Sequence, residues 1–134
     1  MVTDPPRALR RVVLVDDSRT IVELIKVYLI GFGFHYHTTT NPHEALELVR
    51  KHRPFLLISD INMPEMSGLE LAERIRADRA LDGVGILVLS SDKSYSLQSI
   101  TNADGFLPKP INGEKLANEA TRILKKRESF RKPR

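Results

Sequence analysis

Apolar residues fall into two patterns along the chain. Residues 12–15, 55–58 and 86–89 are unbroken runs of Val, Leu, Ile and Phe, with a briefer run at 105–107. Such runs, lacking polar alternation, predict parallel strands covered on both faces. Residues 34–39 differ, because Phe34, Tyr36 and Thr38 alternate with His35, His37 and Thr39. That alternation predicts a sheet-edge strand with one wetter face, leaving His35 and His37 at the surface. Between the strands, helical spacing groups Ile21, Leu24, Ile25 and Tyr28, then Ala45, Leu48, Val49 and His52, then Leu71, Ala72 and Ile75, and finally Leu116, Ala120, Ile123 and Leu124. Asn41-Pro42-His43-Glu44 supplies an N-cap, a proline at the first helical position and an acid three residues after the cap; Gly31 and Gly33 stop the helix before it, and the last helix should start near Asn112. His43 and His52 read as helix-face residues. The alternation of elements predicts an α/β fold: a doubly wound, five-stranded parallel sheet with five helices on its two faces, and ligands beyond the carboxyl ends of the strands.

The weakest helical signal lies between the fourth and fifth strands. Ser94, Ser96, Ser99, Thr101 and Asn102 favour helix less than Ala or Leu, and the apolar anchors there are mainly Leu97 and Ile100. The fourth helix is therefore expected to be short or mobile. Pro108 removes a ladder donor, which a short edge strand tolerates.

With 134 residues, 41% hydrophobic and 28% charged, the chain fits one compact body, placed at 11–127, with an N-terminal tail at 1–10 and a basic tail at 128–134. The absence of cysteine removes disulfides and thiolate metal sites and suits a cytoplasmic location. Residues 1–11 lead into only four apolar residues, far short of an export signal, and no apolar run approaches the ~20 residues that span a bilayer. The net charge of +4 is uneven: residues 122–134 carry +6 and residues 1–11 carry +2, leaving 12–121 at −4. The body is acidic, and the basic end reads as a solvated helix terminus rather than a nucleic-acid contact.

The strand ends concentrate the chemistry. Asp16 and Asp17 follow the first strand, Asp60 ends the third, Ser90 ends the fourth and Lys109 follows the fifth. Carboxylates brought together there repel by about 4 kcal/mol per pair at ~4 Å and an effective dielectric near 20, so the site calls for a cation. An oxygen-only donor set selects Mg²⁺, or Mn²⁺. Beside such an ion an Asp carboxylate can attack phosphorus and form an acyl phosphate, while Lys109 and Ser90 hold the other phosphoryl oxygens.

Taken together, several motifs over roughly residues 11–127 resemble the response-regulator receiver domain of two-component signalling. Val13-Leu14-Val15-Asp16-Asp17 is similar to its acidic-pair strand, and Ser59-Asp60-Ile61-Asn62-Met63-Pro64-Glu65-Met66-Ser67-Gly68 to its phosphoacceptor strand and loop. Leu87-Val88-Leu89-Ser90-Ser91 resembles its hydroxyl strand, and Gly105-Phe106-Leu107-Pro108-Lys109-Pro110 its lysine strand with a cis Lys-Pro bond. The resemblance implies flavodoxin-like strand order 2-1-3-4-5 and transfer from a phosphohistidine, on a sensor histidine kinase or histidine phosphotransfer protein, to Asp60. It implies a metal held by Asp17, Asp60 and the main-chain carbonyl of Asn62, with Asp16 acting mainly through water. Ser90 and Phe106 match the switch pair, and Asn62 and Asp92 the positions that modulate acyl-phosphate lifetime. The output would be a changed surface read by a downstream protein. The crossover at 91–104 is shorter than receivers have there; since that region builds the family's dimer face, a monomer is expected.

Three other readings compete. A receiver-like docking module without phosphorylation is opposed by the complete acid, hydroxyl and lysine set. An Asp-nucleophile phosphatase would need a second acid two residues on, where Asp60-Ile61-Asn62 has none. A nucleotide-binding glycine loop would need a third glycine after Gly31-Phe32-Gly33 and a strand before it. No output domain follows residue 127 in this sequence, so whether the domain stands alone or belongs to a longer regulator stays open.

Overall fold

The apolar runs are strands whose alternate residues feed two cores. The computed structural model describes residues 10–96 and 100–131. Along the chain come β1 (Arg11–Val15), α1 (Arg19–Tyr28), β2 (His35–Thr39), α2 (Pro42–His52), β3 (Leu56–Asp60), α3 (Gly68–Arg76), β4 (Gly85–Ser90), β5 (Gly105–Pro108), α4 (Gly113–Lys126) and the single turn α5 (Glu128–Arg131). All neighbouring strands pair in parallel in the order β2-β1-β3-β4-β5. This is the order 2-1-3-4-5 expected, with β2 and β5 at the edges.

On one face, Val13, Val15, Leu57, Ile86 and Val88 meet Ala45, Leu46 and Val49 of α2 and Leu71, Ala72 and Ile75 of α3. On the other, Val12, Leu14, Leu56, Ile58, Leu87 and Leu89 meet Val22 and Ile25 of α1 and Leu116, Ala120 and Ile123 of α4. Side chains two apart share a face, so an unbroken apolar run serves both layers. The helices begin where capping chemistry allows: Ser18, Asn41, Ser67 and Asn112 each accept hydrogen bonds from backbone N–H groups in the first turn. Gly33, at φ 69°, closes the short 3-10 turn Ile30–Phe32 that follows α1.

Two helical faces differ from the spacing-based expectation. In α1 the buried residues are Val22 and Ile25, joined by Leu29 just past the helix, whereas Leu24 is half-buried and Tyr28 stays 36% exposed with its ring against Gly113. In α2, Leu46 is buried and Leu48 only partly so.

The crossover from β4 to β5 contains turns and bends but no helix among the described residues; Ile100 is buried in the α2/α3 core, and Leu97 lies outside the described residues. The expected tails fall partly outside them too, at 1–9 and 132–134. The basic end is less solvated than anticipated. Arg131 stacks 4.4 Å over the Phe55 ring and donates to the carbonyls of Gly83 (2.8 Å) and Leu124 (2.7 Å).

A buried ion cluster missing from the sequence reading ties this end together. Asp104, one residue before β5, has a side chain only 1% exposed. Its carboxylate accepts from Arg127 Nη2 at 2.7 Å, Lys126 Nζ at 3.0 Å, Arg76 Nη2 at 3.2 Å and the Ile86 N–H at 2.9 Å. Burial pushes its pKa up, but the hydrogen bonds from Arg127, Ile86 and Lys126 outweigh burial and hold it below the usual 3.8. Asp104→Asn leaves Arg76 and Arg127 without their buried counter-charge and should cost about 3 kcal/mol in urea unfolding at pH 7. Because the folded pKa is the lower one, the charge contributes fully above pH 3.8 and is lost as pH falls through the folded value, so the difference between variant and parent should shrink in acid. A change under 1 kcal/mol at pH 7 would contradict this role.

Candidate functional site

The carboxyl ends of four strands deliver the singled-out residues to one place. Asp16 leaves β1 with its N–H bonded to the Thr39 carbonyl (3.3 Å), and its Oδ1 accepts from the Ser18 N–H (2.9 Å), which fixes the turn into α1. Asp60 closes β3. The next residue, Ile61, donates to the Leu89 carbonyl and accepts from the Gly68 N–H, both at 2.8 Å. A methyl group on Gly68 would come within 2.3 Å of the Asp60 carbonyl oxygen, so only glycine lets α3 start this close to the end of β3. Lys109 follows β5 through a 2.8 Å bond from its N–H to the Ser90 carbonyl, and its bond to Pro110 is cis.

One carboxylate oxygen from each of Asp16, Asp17 and Asp60 lies within 4.8 Å of the others. Asp16 and Asp60 are buried and Asp17 is exposed. The Lys109 ammonium sits 2.9 Å from Asp16 Oδ2 and 3.5 Å from Asp60 Oδ2. One cation therefore faces three anions. Burial raises the Asp60 pKa above its usual 3.8; the Lys109 charge opposes that rise, Asp16 reinforces it, and the hydrogen bonds from Asn62 and Lys109 are too weak to reverse it.

The hydroxyl and the loops complete the site. Ser90 Oγ accepts from the Asp92 N–H (2.9 Å) and from Asn62 Nδ2 (3.2 Å), while the Asn62 N–H reaches toward Asp60 Oδ1 at 3.4 Å. The bond between Asn62 and Ser90 was not anticipated, since it joins the loop after β3 to the end of β4, 28 residues on. Asp92 is exposed and accepts from the Ser94 N–H (2.9 Å) and hydroxyl (2.7 Å). Phe106, paired with Val88 in the ladder, is half-buried against the α2/α3 core.

A family model of the response regulator receiver domain matches residues 12–121. The chain belongs to that family. It is 33% identical over 120 residues to the two-component response regulator ARR12 of Arabidopsis thaliana, covering 87% of this chain and 20% of that protein. It is 33% identical over 119 residues to the response regulator MprA of Mycobacterium leprae, covering 87% of this chain and 51% of that protein. The receiver domain thus spans about half or less of the length of these curated relatives. Among solved structures it resembles the response regulator TrrA of Thermotoga maritima in complex with Mg²⁺ and BeF, at 32% identity and a TM-score of 0.75, covering 85% of this chain and 98% of that one.

In this receiver domain the buried Asp60 charge works against folding. Because the Asp60 pKa is raised on folding, its ionised form opposes folding, fully above the folded pKa, and the penalty fades as pH falls toward the unfolded value of 3.8. Without divalent ions, Asp60→Asn should raise the urea midpoint at pH 7, with the gain narrowing in acid. A variant less stable than the parent at pH 7 would contradict the raised pKa.

Proposed function

We propose that this receiver domain takes a phosphoryl group from a phosphohistidine, on a sensor histidine kinase or histidine phosphotransfer protein, onto Asp60, and that the change alters a surface read by a downstream protein. The observation that carries the reading is the meeting of Asp16, Asp17 and Asp60 within 4.8 Å, with the Lys109 ammonium 3.5 Å from Asp60. The donor set suits a hard cation: oxygen atoms only, more negative charge than Lys109 offsets, and one carboxylate exposed for entry. Asp17, Asp60 and the Asn62 main-chain carbonyl would hold Mg²⁺ or Mn²⁺, with Asp16 acting through water. When bound, that ion neutralises the carboxylates and the charge gathering on the transferring oxygens. The likeness to TrrA, solved with Mg²⁺ and BeF, supports this assignment.

The chain's own residues do the rest. An Asp60 oxygen forms the new P–O bond as the donor's P–N bond breaks and its electron pair leaves on the imidazole nitrogen. Lys109 moves its charge onto a phosphoryl oxygen. Ser90 exchanges Asn62 Nδ2 and the Asp92 N–H for another, and Phe106 turns inward behind it. Asn62 and Asp92 set the lifetime of the acyl phosphate. Switching extends only as far as these phosphate contacts differ between the two arrangements. No helix among the described residues is long and apolar enough to cross a membrane.

Incubation with Mg²⁺ and acetyl phosphate, followed by intact mass, tests the reading. One phosphoryl group should be gained, and none in Asp60→Asn or with EDTA. Gain in Asp60→Asn would move the acceptor elsewhere, and no gain in the parent would leave a docking module.

A further inference from the structure

Three of the chain's four histidines converge at the β2 edge, away from the acidic site. His35 and His37 lie two apart on β2 and so share a face of the sheet, with ring centres 5.2 Å apart and planes at 63°. His52, the last residue of α2, stacks on His37 with ring centres 4.0 Å apart and planes 10° apart. His37 Nε2 lies 3.1 Å from Arg11 Nη1. Because a guanidinium only donates, that imidazole nitrogen is the unprotonated one and its lone pair faces Arg11.

The chemistry around the rings is unusual for structural histidines. Among the described residues none of the three pairs with a carboxylate, whereas His43 lies 3.7 Å from Glu65. Their charged neighbours are Arg11 and Lys51, both cations, and burial together with those cations keeps His37 and His52 below the ordinary imidazole pKa. For His37 and His52 this favours the neutral imidazole, the form that binds metal.

We propose that His35, His37 and His52 form a site for a borderline divalent transition metal of the Zn²⁺ class, a ligand chemistry opposite to that of the oxygen-only acidic cluster. With Zn–N bonds of about 2.1 Å, two imidazoles on one tetrahedral ion have ring centres roughly 5 Å apart. The His35/His37 pair already has that centre spacing, and ring rotation must still bring the three nitrogens together. His37 and His52 reach it by opening their stack through side-chain rotation, which the edge position permits, since among the described residues no strand lies beyond β2. Binding exchanges Arg11 for the metal at His37 Nε2, so Arg11 competes with the ion through both its hydrogen bond and its charge.

Zn²⁺ titration by calorimetry, in excess Mg²⁺ to occupy the acidic cluster, tests the proposal on the intact chain. One saturable Zn²⁺ site is expected, with imidazole nitrogen resonances of His35, His37 and His52 shifting and those of His43 unmoved. His37→Ala should weaken binding at least tenfold and His43→Ala should leave it unchanged. Arg11→Gln should tighten it several-fold, a gain that loss of fold does not produce. The proposal is overturned if no saturable Zn²⁺ site appears, if His37→Ala binds as well as the parent, or if binding disappears in Asp17→Asn instead.

Discussion

Three carboxylates and one ammonium share the carboxyl edge of the sheet, and this imbalance is the constraint around which the structure is arranged. Asp16 and Asp60 are buried, Lys109 bridges them at 2.9 and 3.5 Å, and Asp17 brings a third negative charge within 4.8 Å. At such separations each like-charged pair costs about 4 kcal/mol at an effective dielectric near 20. The scaffold must hold these groups against their repulsion, and a cation or a phosphoryl group with its own partners changes the balance sharply.

The sheet supplies that resistance. Asp16 and Asp60 extend from β1 and β3, strands that pair with each other and lie buried between two helical layers. Ser90 and Lys109 come from the ends of β4 and the edge strand β5, and the 2.8 Å bond from the Lys109 N–H to the Ser90 carbonyl locks them together. At the opposite end of β4 and β5, the Asp104 cluster links Arg76 of α3 to Lys126 and Arg127 at the end of α4. Here the imbalance is reversed, with one carboxylate facing three cations. The elements that carry Ser90 and Lys109 are thus fastened at their far ends by charge and at their near ends by backbone.

Much of this was legible in the chain. The unbroken runs at 12–15, 55–58 and 86–89 marked the central strands, the alternation at 34–39 marked an edge, and polar residues directly after those runs marked the site. Periodicity of two, cap chemistry and strand-end position are local signals. The unforeseen features depend on tertiary proximity. Asp104 meets Arg76 and Arg127 across 28 and 23 residues, and His37 meets His52 from a separate element. The α1 face was misjudged by one position because Leu29 buries itself beyond the helix end while Tyr28 leans on Gly113. At 91–104 the described residues form turns and bends, as the low helix propensity of Ser94, Thr101 and Asn102 favours.

The central claim, that crowding and burial leave Asp60 in need of a cation, is tested most directly by carboxyl-carbon NMR of Asp60 titrated with and without Mg²⁺. Without metal the resonance should titrate above 3.8, and Mg²⁺ should draw that pKa down as the carboxylate gains its counter-ion. An Asp60 that titrates at or below 3.8 in metal-free protein and does not respond to Mg²⁺ would contradict the account.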